Sequence, residues 1–351
     1  MTIKTSKRSD ISVFRALDIL RIANERIAQG EDIIHLEAGQ PSDGAPLAAL
    51  DAFKDILDKD PKMGYTEAVG MPALRERIVK WYKDQYNVTI DRDQVIITMG
   101  ASGAFLLTFI SVFEAGDKVA MAAPGYPAYR NILQALDIEP VEIDSTLETN
   151  YQPTVKDLDA LLQKEGKLDG LIIASPSNPA GTILSPAELE EICAWCEENG
   201  VRLIADELYH GVTFDESAET VLKFTKSGLV INSFSKYFAL TGWRLGWAVV
   251  PTTLAPRIKA LAESMFVSPP APSQHLALEI FNHQEALNGY VSRYEENLKI
   301  LKRELPKAGF HKLSDTKGAF YLYADIAHLT NDSESFCKEL LEGPKVAMTP
   351  G

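Results

Sequence analysis

Short apolar runs rich in β-branched residues recur through the middle of this chain and constrain its fold more than any other feature. Stretches with helical spacing separate several of them, as in Pro186–Glu198. Strands that alternate with helices predict βαβ units, and near-continuous apolar runs indicate strands buried on both faces. We therefore predict an α/β fold with a mainly parallel sheet between helices. The predicted strands are Val95–Thr98, Lys118–Ala123, Val141–Ile143, Leu171–Ala174, Val201–Ala205, Leu229–Ser233 and Leu245–Val249.

The sequence pattern changes near residue 270. Prolines at positions 269, 270 and 272 interrupt the strand and helix alternation, and a long charged helical stretch, His275–Leu305, follows. A length of 351 residues suggests about two domains. We predict a large domain over residues 36–270 and a small C-terminal domain over residues 271–351. Residues 1–35 are predicted to form an arm and a helix that lie outside the sheet and belong to the small domain.

The composition and charge of the chain argue against several classes of protein function. The net charge of −14 argues against a general nucleic-acid or anionic-membrane binder, although a local positive pocket for a small anion stays open. The longest apolar stretch, near Gly103–Phe113, is too short to span a bilayer, and the first residues lack the apolar region of a secretory signal. Three cysteines form no disulfide framework. We therefore expect a cytoplasmic enzyme.

Two patterns that resemble redox or metal sites have simpler interpretations. Cys193 and Cys196 form a C-x-x-C pair, but both fall on the apolar stripe of a predicted helix, which indicates core packing. The six histidines show no spacing typical of metal ligands. We expect no metal site.

A lysine follows directly on one of the predicted strands, in the run Ser233-Phe-Ser-Lys236. Ligands of α/β proteins bind at the carboxyl edge of the sheet, where this lysine would lie. Loss of hydration favours the neutral form of a lysine, which is then a nucleophilic amine. The hydroxyls of Ser233 and Ser235, together with Arg244, suggest an oxyanion site beside the amine. A solvated loop lysine without a role is the alternative.

Other strand ends carry complementary groups. Asp206, with Tyr209 three residues on, offers a carboxylate for a cationic ring nitrogen, although a helix cap is an alternative. Asn178 presents an amide within a dense turn between two prolines. Each feature alone also fits an ordinary turn or cap.

The remaining two runs suggest a phosphate and a flat ring. The small residues of Thr98–Ala104 let backbone N–H groups approach a phosphate at the start of a helix. Tyr126, locked before Pro127, offers a face for stacking, with core packing as the alternative. One ligand, pyridoxal phosphate, matches all five features together: the phosphate cradle, the stacking face, the amide, the acid and the amine.

These motifs resemble those of fold-type I pyridoxal-phosphate enzymes, namely the class I/II aminotransferase family that includes aspartate aminotransferases. The most specific are S-x-S-K with its arginine, D-x-x-Y and S-N-P-x-G, and the resemblance extends over nearly the whole chain. It implies a three-layer large domain with a smaller α+β domain. It also implies an aminotransferase that moves the amino group of an L-amino acid to a 2-oxo acid by a ping-pong mechanism, through aldimine and ketimine intermediates on Lys236.

The resemblance implies a role for each matching residue. Lys236 binds the cofactor aldehyde and then moves the proton between the substrate Cα and the cofactor C4′. Asp206 keeps the pyridine nitrogen protonated, and Tyr209 and Asn178 hydrogen-bond the ring hydroxyl oxygen. Tyr126 stacks on the ring. The phosphate would be held by the backbone at Ala101 and Ser102 and by the side chains of Ser233 and Arg244.

The resemblance further implies a homodimer and a substrate site. Tyr65 is similar to the family tyrosine that reaches the phosphate of the neighbouring subunit. Gly39 lies in the loop that lines the substrate carboxylate site, to which Asn178 also contributes. The family continues for a few dozen residues past its T-P-G motif and carries there the arginine that binds the substrate α-carboxylate. We therefore expect that the small domain extends beyond Gly351 and that this arginine lies in the extension.

The motifs leave the reaction and the substrate open. Related aspartate aminotransferases often carry a lysine in the Gly100–Gly103 turn, where this chain has Ser102, and this difference disfavours a dicarboxylate substrate. A C–S lyase or another elimination enzyme on the same scaffold is one alternative. A non-catalytic aminotransferase-like protein is the other.

Overall fold

The computed structural model describes residues 3–351. The strands are β1 (Ile34–His35), β2 (Val95–Thr98), β3 (Lys118–Ala123), β4 (Glu139–Asp144), β5 (Gly170–Ala174), β6 (Arg202–Asp206), β7 (Leu229–Ser233), β8 (Gly246–Val249), β9 (Lys312–Leu313), β10 (Ala324–Asp325) and β11 (Val346–Ala347). The helices are α1 (Arg15–Ala28), α2 (Leu47–Lys59), α3 (Pro72–Tyr86), α4 (Gly100–Val112), α5 (Pro127–Ala135), α6 (Val155–Glu165), α7 (Pro186–Asn199), α8 (Ala255–Met265), α9 (Ala271–Ile280), α10 (Gln284–Glu304) and α11 (Ser333–Glu342).

A seven-stranded sheet in the order β2-β8-β7-β6-β5-β3-β4 forms the centre. β8 pairs antiparallel with β2 and β7, while the other neighbours pair in parallel. The predicted α/β fold with a mainly parallel sheet is therefore confirmed. The seven predicted strands match these seven within two residues at each end.

Both faces of the sheet are buried. Successive residues of one strand enter different cores: Ile97 packs in one apolar cluster and Ile96 in the other, and Ile173 and Ile172 divide in the same way. Helices α3 and α7 contribute to the first cluster, whereas α4, α5 and α8 contribute to the second. Burial on two sides explains why the strands appear in the sequence as continuous apolar runs.

Helix α7 shows how the sequence sets the local structure. The hydroxyl of Ser185 accepts a hydrogen bond from the backbone N–H of Glu188, and the helix ends at Gly200, whose φ is +67°. Cys193 and Cys196 are free thiols buried on its inner face, as the apolar stripe predicts. Burial raises the pKa of the Cys193 thiol to about 12, which suppresses thiolate chemistry.

The helical stretch predicted over His275–Leu305 is interrupted at residues 281–283, which separate α9 from α10. The chain breaks between α9 and α10, where the backbone N–H groups of Asn282 and His283 bond the carbonyls three residues earlier, those of Glu279 and Ile280, at 2.9 and 3.0 Å. Tight turns of this kind are frequent where an α-helix ends. Leu276 of α9 and Leu287 of α10 pack in the same core as α3 and α7, so this core extends past residue 270. The domain boundaries stay predictions.

The N-terminal part of the chain packs against its C-terminal part. Strand β1 pairs in parallel with β11, away from the central sheet. A small apolar cluster joins α1 to this region and contains Ala23, Ile33, Leu341 and Ala347. The segment before α1 reaches the large sheet domain, because Phe14 contacts Tyr126 edge-on with 5.7 Å between ring centroids. Residues 1 and 2 of the predicted arm lie outside the described residues.

None of the helices described within residues 3–351 combines the length and the hydrophobicity that a transmembrane span requires. The same residues contain no cluster of three or more His, Cys, Asp or Glu side chains that could hold a metal ion. The cytoplasmic location stays a prediction from the sequence.

Candidate active site

Most of the candidate site residues predicted from the sequence lie at one edge of the central sheet. β2, β3, β5, β6 and β7 run in the same direction, so their carboxyl ends meet there, and the antiparallel β8 begins at the same edge. The strand register shows this directly. Ala174 pairs with Asp206, and Gly246 pairs with both Ser233 and Thr98.

Lys236 follows β7 in a tight turn, and its amine is largely buried. Its Nζ donates a hydrogen bond to the carbonyl oxygen of Gly39. The amine also lies 5.6 Å from the ring centroid of Tyr209 and 5.7 Å from that of Phe320. Burial lowers the pKa of Lys236 to about 8, with Arg244 acting in the same direction and Asp206 opposing it. A substantial neutral fraction near pH 7–8 gives this side chain the reactivity of an amine nucleophile.

Asp206 ends β6 and is only 5% exposed. Its Oδ2 accepts a hydrogen bond from the hydroxyl of Tyr129, and its Oδ1 accepts one from the backbone N–H of Leu208 at 3.0 Å. Burial raises the pKa of Asp206 to about 6, while these two hydrogen bonds and Lys236 favour the ionised form. A buried carboxylate of this kind is stabilised by a cation that enters the site.

Tyr209 lies in the turn that follows β6. Its hydroxyl is 2.6 Å from the hydroxyl of Tyr321, and the two rings meet edge-on. Asn178 is half-buried in the loop between β5 and α7, which is closed by a hydrogen bond of 2.9 Å from the N–H of Ser177 to the carbonyl of Thr182. Since β5 and β6 are neighbours in the sheet, Asn178 and Tyr209 lie on adjacent loops of the same edge.

The start of α4 and the guanidinium of Arg244 form a cradle for an anion. A Cβ on Gly100 would lie 2.7 Å from Nη2 of Arg244, and a Cβ on Gly246 would lie 2.9 Å from the backbone nitrogen of Ala101. These glycines therefore let the guanidinium and β8 approach the first turn of the helix. Free N–H groups at a helix start and a guanidinium both favour a phosphate. Ser102 is exposed in the same turn.

The hydroxyl of Ser233 belongs to a buried hydrogen-bond network. It donates to the carbonyl of Leu245 at 2.9 Å and accepts from the backbone N–H of Ser235 at 3.0 Å. The two serine hydroxyls are 2.9 Å apart. The network fixes the turn that leads to Lys236.

The remaining predicted residues lie around this edge or on the surface. Tyr126 immediately precedes α5. Its partly exposed ring contacts the ring of Tyr129 edge-on, with 5.3 Å between the ring centroids. Gly39 borders the amine of Lys236, and a Cβ there would collide with the hydroxyl of Tyr321. Tyr65 is 86% exposed.

The structure adds three residues that sequence reasoning gave no role: Tyr129, Phe320 and Tyr321. Tyr129 had a local signal, because it lies one helical turn after Tyr126 and its side chain therefore extends from the same face. Phe320 and Tyr321 come from the C-terminal part of the chain, and Tyr321 is separated from Tyr209 by 112 residues. Only the tertiary fold brings them to Lys236.

Comparison with known proteins gives the family. The profile of the family described as aminotransferase class I and II matches residues 31–351. The chain is 41% identical to the valine–pyruvate aminotransferase of Mycobacterium tuberculosis, over 100% of this chain and 90% of that protein. It is 32% identical to an aspartate aminotransferase of Pyrococcus horikoshii, over 93% of this chain and 84% of that protein.

A solved structure agrees with this result. The crystal structure of an aminotransferase from Mycobacterium tuberculosis superposes with a TM-score of 0.95 at 41% identity, covering 99% of this chain and 89% of that one. Neither alternative activity is favoured by these relatives, whose names describe aminotransferases. The chain therefore belongs to the family of class I and II aminotransferases.

Proposed function

We propose that this aminotransferase uses pyridoxal phosphate, bound at the carboxyl edge of the sheet, to move the amino group of an L-amino acid to a 2-oxo acid. The observation that carries the proposal is the convergence of a buried amine, a buried carboxylate and an anion cradle, formed by Lys236, Asp206 and Arg244 with the start of α4. When bound, the cofactor supplies an aldehyde and a ring that accepts electrons.

Lys236 is the catalytic group of the proposal. Its lowered pKa, about 8, leaves an appreciable fraction of neutral amine to bind the cofactor aldehyde. With substrate bound, the free Lys236 amine would act as a general base toward the proton at the substrate Cα and would then deliver that proton, as a general acid, to the cofactor C4′. Its hydrogen bond to the carbonyl of Gly39 holds the amine beside the loop proposed to line the substrate carboxylate site.

Asp206 would pair with the protonated ring nitrogen. A cation at this position offsets the burial of the carboxylate and keeps the nitrogen protonated in return. The hydrogen bonds from Tyr129 and from the N–H of Leu208 fix the orientation of the carboxylate. Tyr209 and Asn178 would hold the ring hydroxyl oxygen, and Tyr126 would stack on the ring.

The phosphate would be held at the start of α4. The proposed ligands are the backbone N–H groups of Ala101 and Ser102 and the side chains of Ser233 and Arg244, and the approach of the Arg244 guanidinium to Gly100 supports this set. We also propose a homodimer in which Tyr65 reaches the phosphate of the partner subunit. The 86% exposure of Tyr65 is compatible with this role, because it leaves the side chain accessible to a partner subunit.

For the substrate we propose a neutral amino acid, with valine as donor and pyruvate as acceptor. The name of the relative from Mycobacterium tuberculosis supports this choice, since that protein is 41% identical to this chain. The aromatic rings of Tyr209 and Phe320 lie 5.6 and 5.7 Å from the Lys236 amine, and these uncharged surfaces suit a neutral substrate. Ser102 also offers no positive charge for a side-chain carboxylate.

Absorption spectroscopy of the full-length protein tests the proposal. We expect a visible band with added pyridoxal phosphate, fixed by borohydride and lost in Lys236→Ala. Valine should bleach the band and pyruvate should restore it, while aspartate should act far more weakly. An elimination enzyme would release ammonia and never need the oxo acid. Absence of any band would reject a cofactor-dependent role.

A further inference from the structure

His210 connects two loops of the candidate site and has no part in the chemistry described above. It is 3% exposed and follows Tyr209 directly. Its Nε2 lies 3.0 Å from the carbonyl oxygen of Ser175, and its Nδ1 lies 2.8 Å from the hydroxyl of Tyr86. One ring thus contacts the loop after β5, the turn after β6 and the last residue of α3.

The partners determine which nitrogen of His210 carries the proton. A carbonyl oxygen only accepts hydrogen bonds, so Nε2 must be protonated to bond Ser175. Burial lowers the pKa of His210 to about 4, so the ring is neutral near pH 7 and Nδ1 accepts from Tyr86. The neighbouring carboxyl of Glu207 is consistent with a neutral ring, because burial raises its pKa to about 8. Its Oε2 lies 3.6 Å from Nδ1 and has no hydrogen bond within residues 3–351.

The peptide groups of Ser175 join the two loops by a pair of hydrogen bonds. The N–H of Ser175 donates to the carbonyl of Asp206 at 3.3 Å, and its carbonyl accepts from His210 at 3.0 Å. On its other side, the same loop is held by Gln152, whose side-chain nitrogen donates to the carbonyl of Thr182 at 3.0 Å. Asn178 lies three residues after Ser175, and Tyr209 lies one residue before His210.

We propose that His210 is a positioning residue that fixes the separation of Asn178 and Tyr209 through its Nε2–H bond to the carbonyl of Ser175. The inference rests on the proposed function, in which these two side chains hold the same ring hydroxyl oxygen. A displacement of either loop would then weaken cofactor binding without removing any group that touches the cofactor.

Three variants separate this role from a contribution to folding alone. In His210→Gln, the amide nitrogen replaces Nε2 and retains a donor for Ser175. In His210→Asn, the shorter amide retains an acceptor for Tyr86 but does not reach Ser175. Tyr86→Phe removes the bond to α3 and leaves the bond to Ser175 intact, so it is the matched control for lost packing and stability.

The dissociation constant of pyridoxal phosphate and the urea midpoint of the cofactor-free protein are measured for each variant. We expect His210→Asn to raise the dissociation constant roughly tenfold, the size of one lost hydrogen bond in a buried site. His210→Gln should stay within about threefold of wild type. Tyr86→Phe should lower the urea midpoint without weakening cofactor binding. Equal dissociation constants for the Asn and Gln variants would overturn the proposal.

Two measurements without cofactor keep this test independent of the proposed function. Hydrogen exchange of the cofactor-free protein should accelerate in residues 175–182 for His210→Asn and not for His210→Gln. Nitrogen-15 NMR of wild-type protein should show His210 protonated at Nε2 only. An Nδ1–H tautomer, or unchanged exchange in His210→Asn, would reject the positioning role. Wild-type protein that binds no cofactor would instead reject the proposed function.

Discussion

The hydroxyl of Tyr129 donates a hydrogen bond to Oδ2 of Asp206 in the interior of the protein. The phenol comes from α5 and the carboxylate from the end of β6, so the bond connects two elements across the candidate site. It opposes the burial that raises the pKa of Asp206. Tyr129 therefore favours the ionised form of the carboxylate and orients it.

Replacement of Tyr129 by phenylalanine should weaken cofactor binding. A hydrogen bond to a charged group contributes about 1.5–3 kcal/mol, so we expect the dissociation constant of pyridoxal phosphate to rise roughly 10- to 100-fold. Tyr294→Phe is the control, because the buried Tyr294 hydroxyl has no hydrogen-bond partner in the described part of the chain. Unchanged binding in Tyr129→Phe would show that Asp206 does not depend on the phenol.

The lowered pKa of Lys236 predicts a characteristic pH dependence. The rate at which cofactor-free protein combines with pyridoxal phosphate should rise about tenfold per pH unit below pH 8 and level off above it, where most of the amine is neutral. In Asp206→Asn the plateau should begin at lower pH, because the anion that favours the charged amine is gone. Stopped-flow absorbance gives these rates. A rate that still rises above pH 10 would contradict burial of the amine.

Close packing at Gly246 predicts a local steric effect. A Cβ there would lie 2.8 Å from the backbone carbon of Gly100 and 2.9 Å from the nitrogen of Ala101, so Gly246→Ala must push β8 away from α4. We expect a loss of about 1–3 kcal/mol in the free energy of unfolding. Affinity for phosphate and cofactor should fall with it.

Gly242→Ala is the matched control, since a Cβ at Gly242 has no heavy atom within 4 Å. Thermal unfolding and phosphate titration compare the two variants. Equal behaviour of the two would contradict the close approach of β8 to the start of α4.

Burial of Glu207 predicts that stability falls as the pH rises. Its pKa is about 8 in the folded protein against 4.5 in the unfolded chain, so the folded state alone holds this proton between those values. The contribution to the free energy of unfolding therefore decreases by about 1.4 kcal/mol per pH unit over that window and is constant above it. Urea unfolding from pH 5 to 9 should show a shallower decline for Glu207→Gln than for wild type.

Glu190→Gln, on the exposed face of α7, controls for the loss of one carboxylate. If Glu207→Gln declines with pH as steeply as wild type and this control, Glu207 is already ionised in the folded protein at neutral pH.

Much of the fold follows from sequence because strands buried on both faces leave continuous apolar runs. The positions of Lys236 and Asp206 follow for the same reason, since a polar residue directly after such a run must lie at the sheet edge. Short-range effects are less visible, because the tight turn that ends α9 does not alter the hydrophobic pattern. The sequence therefore predicts the helical stretch but not the interruption between α9 and α10.

The contacts that complete the site depend on long-range packing. Tyr321 reaches Tyr209 from 112 residues away, and His210 acts through a backbone carbonyl that carries no sequence signal. Neither pairing is encoded in local spacing. The roles of the site residues, the homodimer and the domain boundaries stay predictions until they are measured.

Transfer of labelled nitrogen tests the central claim most directly. Full-length protein with pyridoxal phosphate is incubated with [15N]valine and pyruvate, and the products are followed by mass spectrometry. We predict [15N]alanine and the oxo acid of valine in equal amounts, with no product from Lys236→Ala. Release of labelled ammonia without labelled alanine would contradict an aminotransferase that works through Lys236.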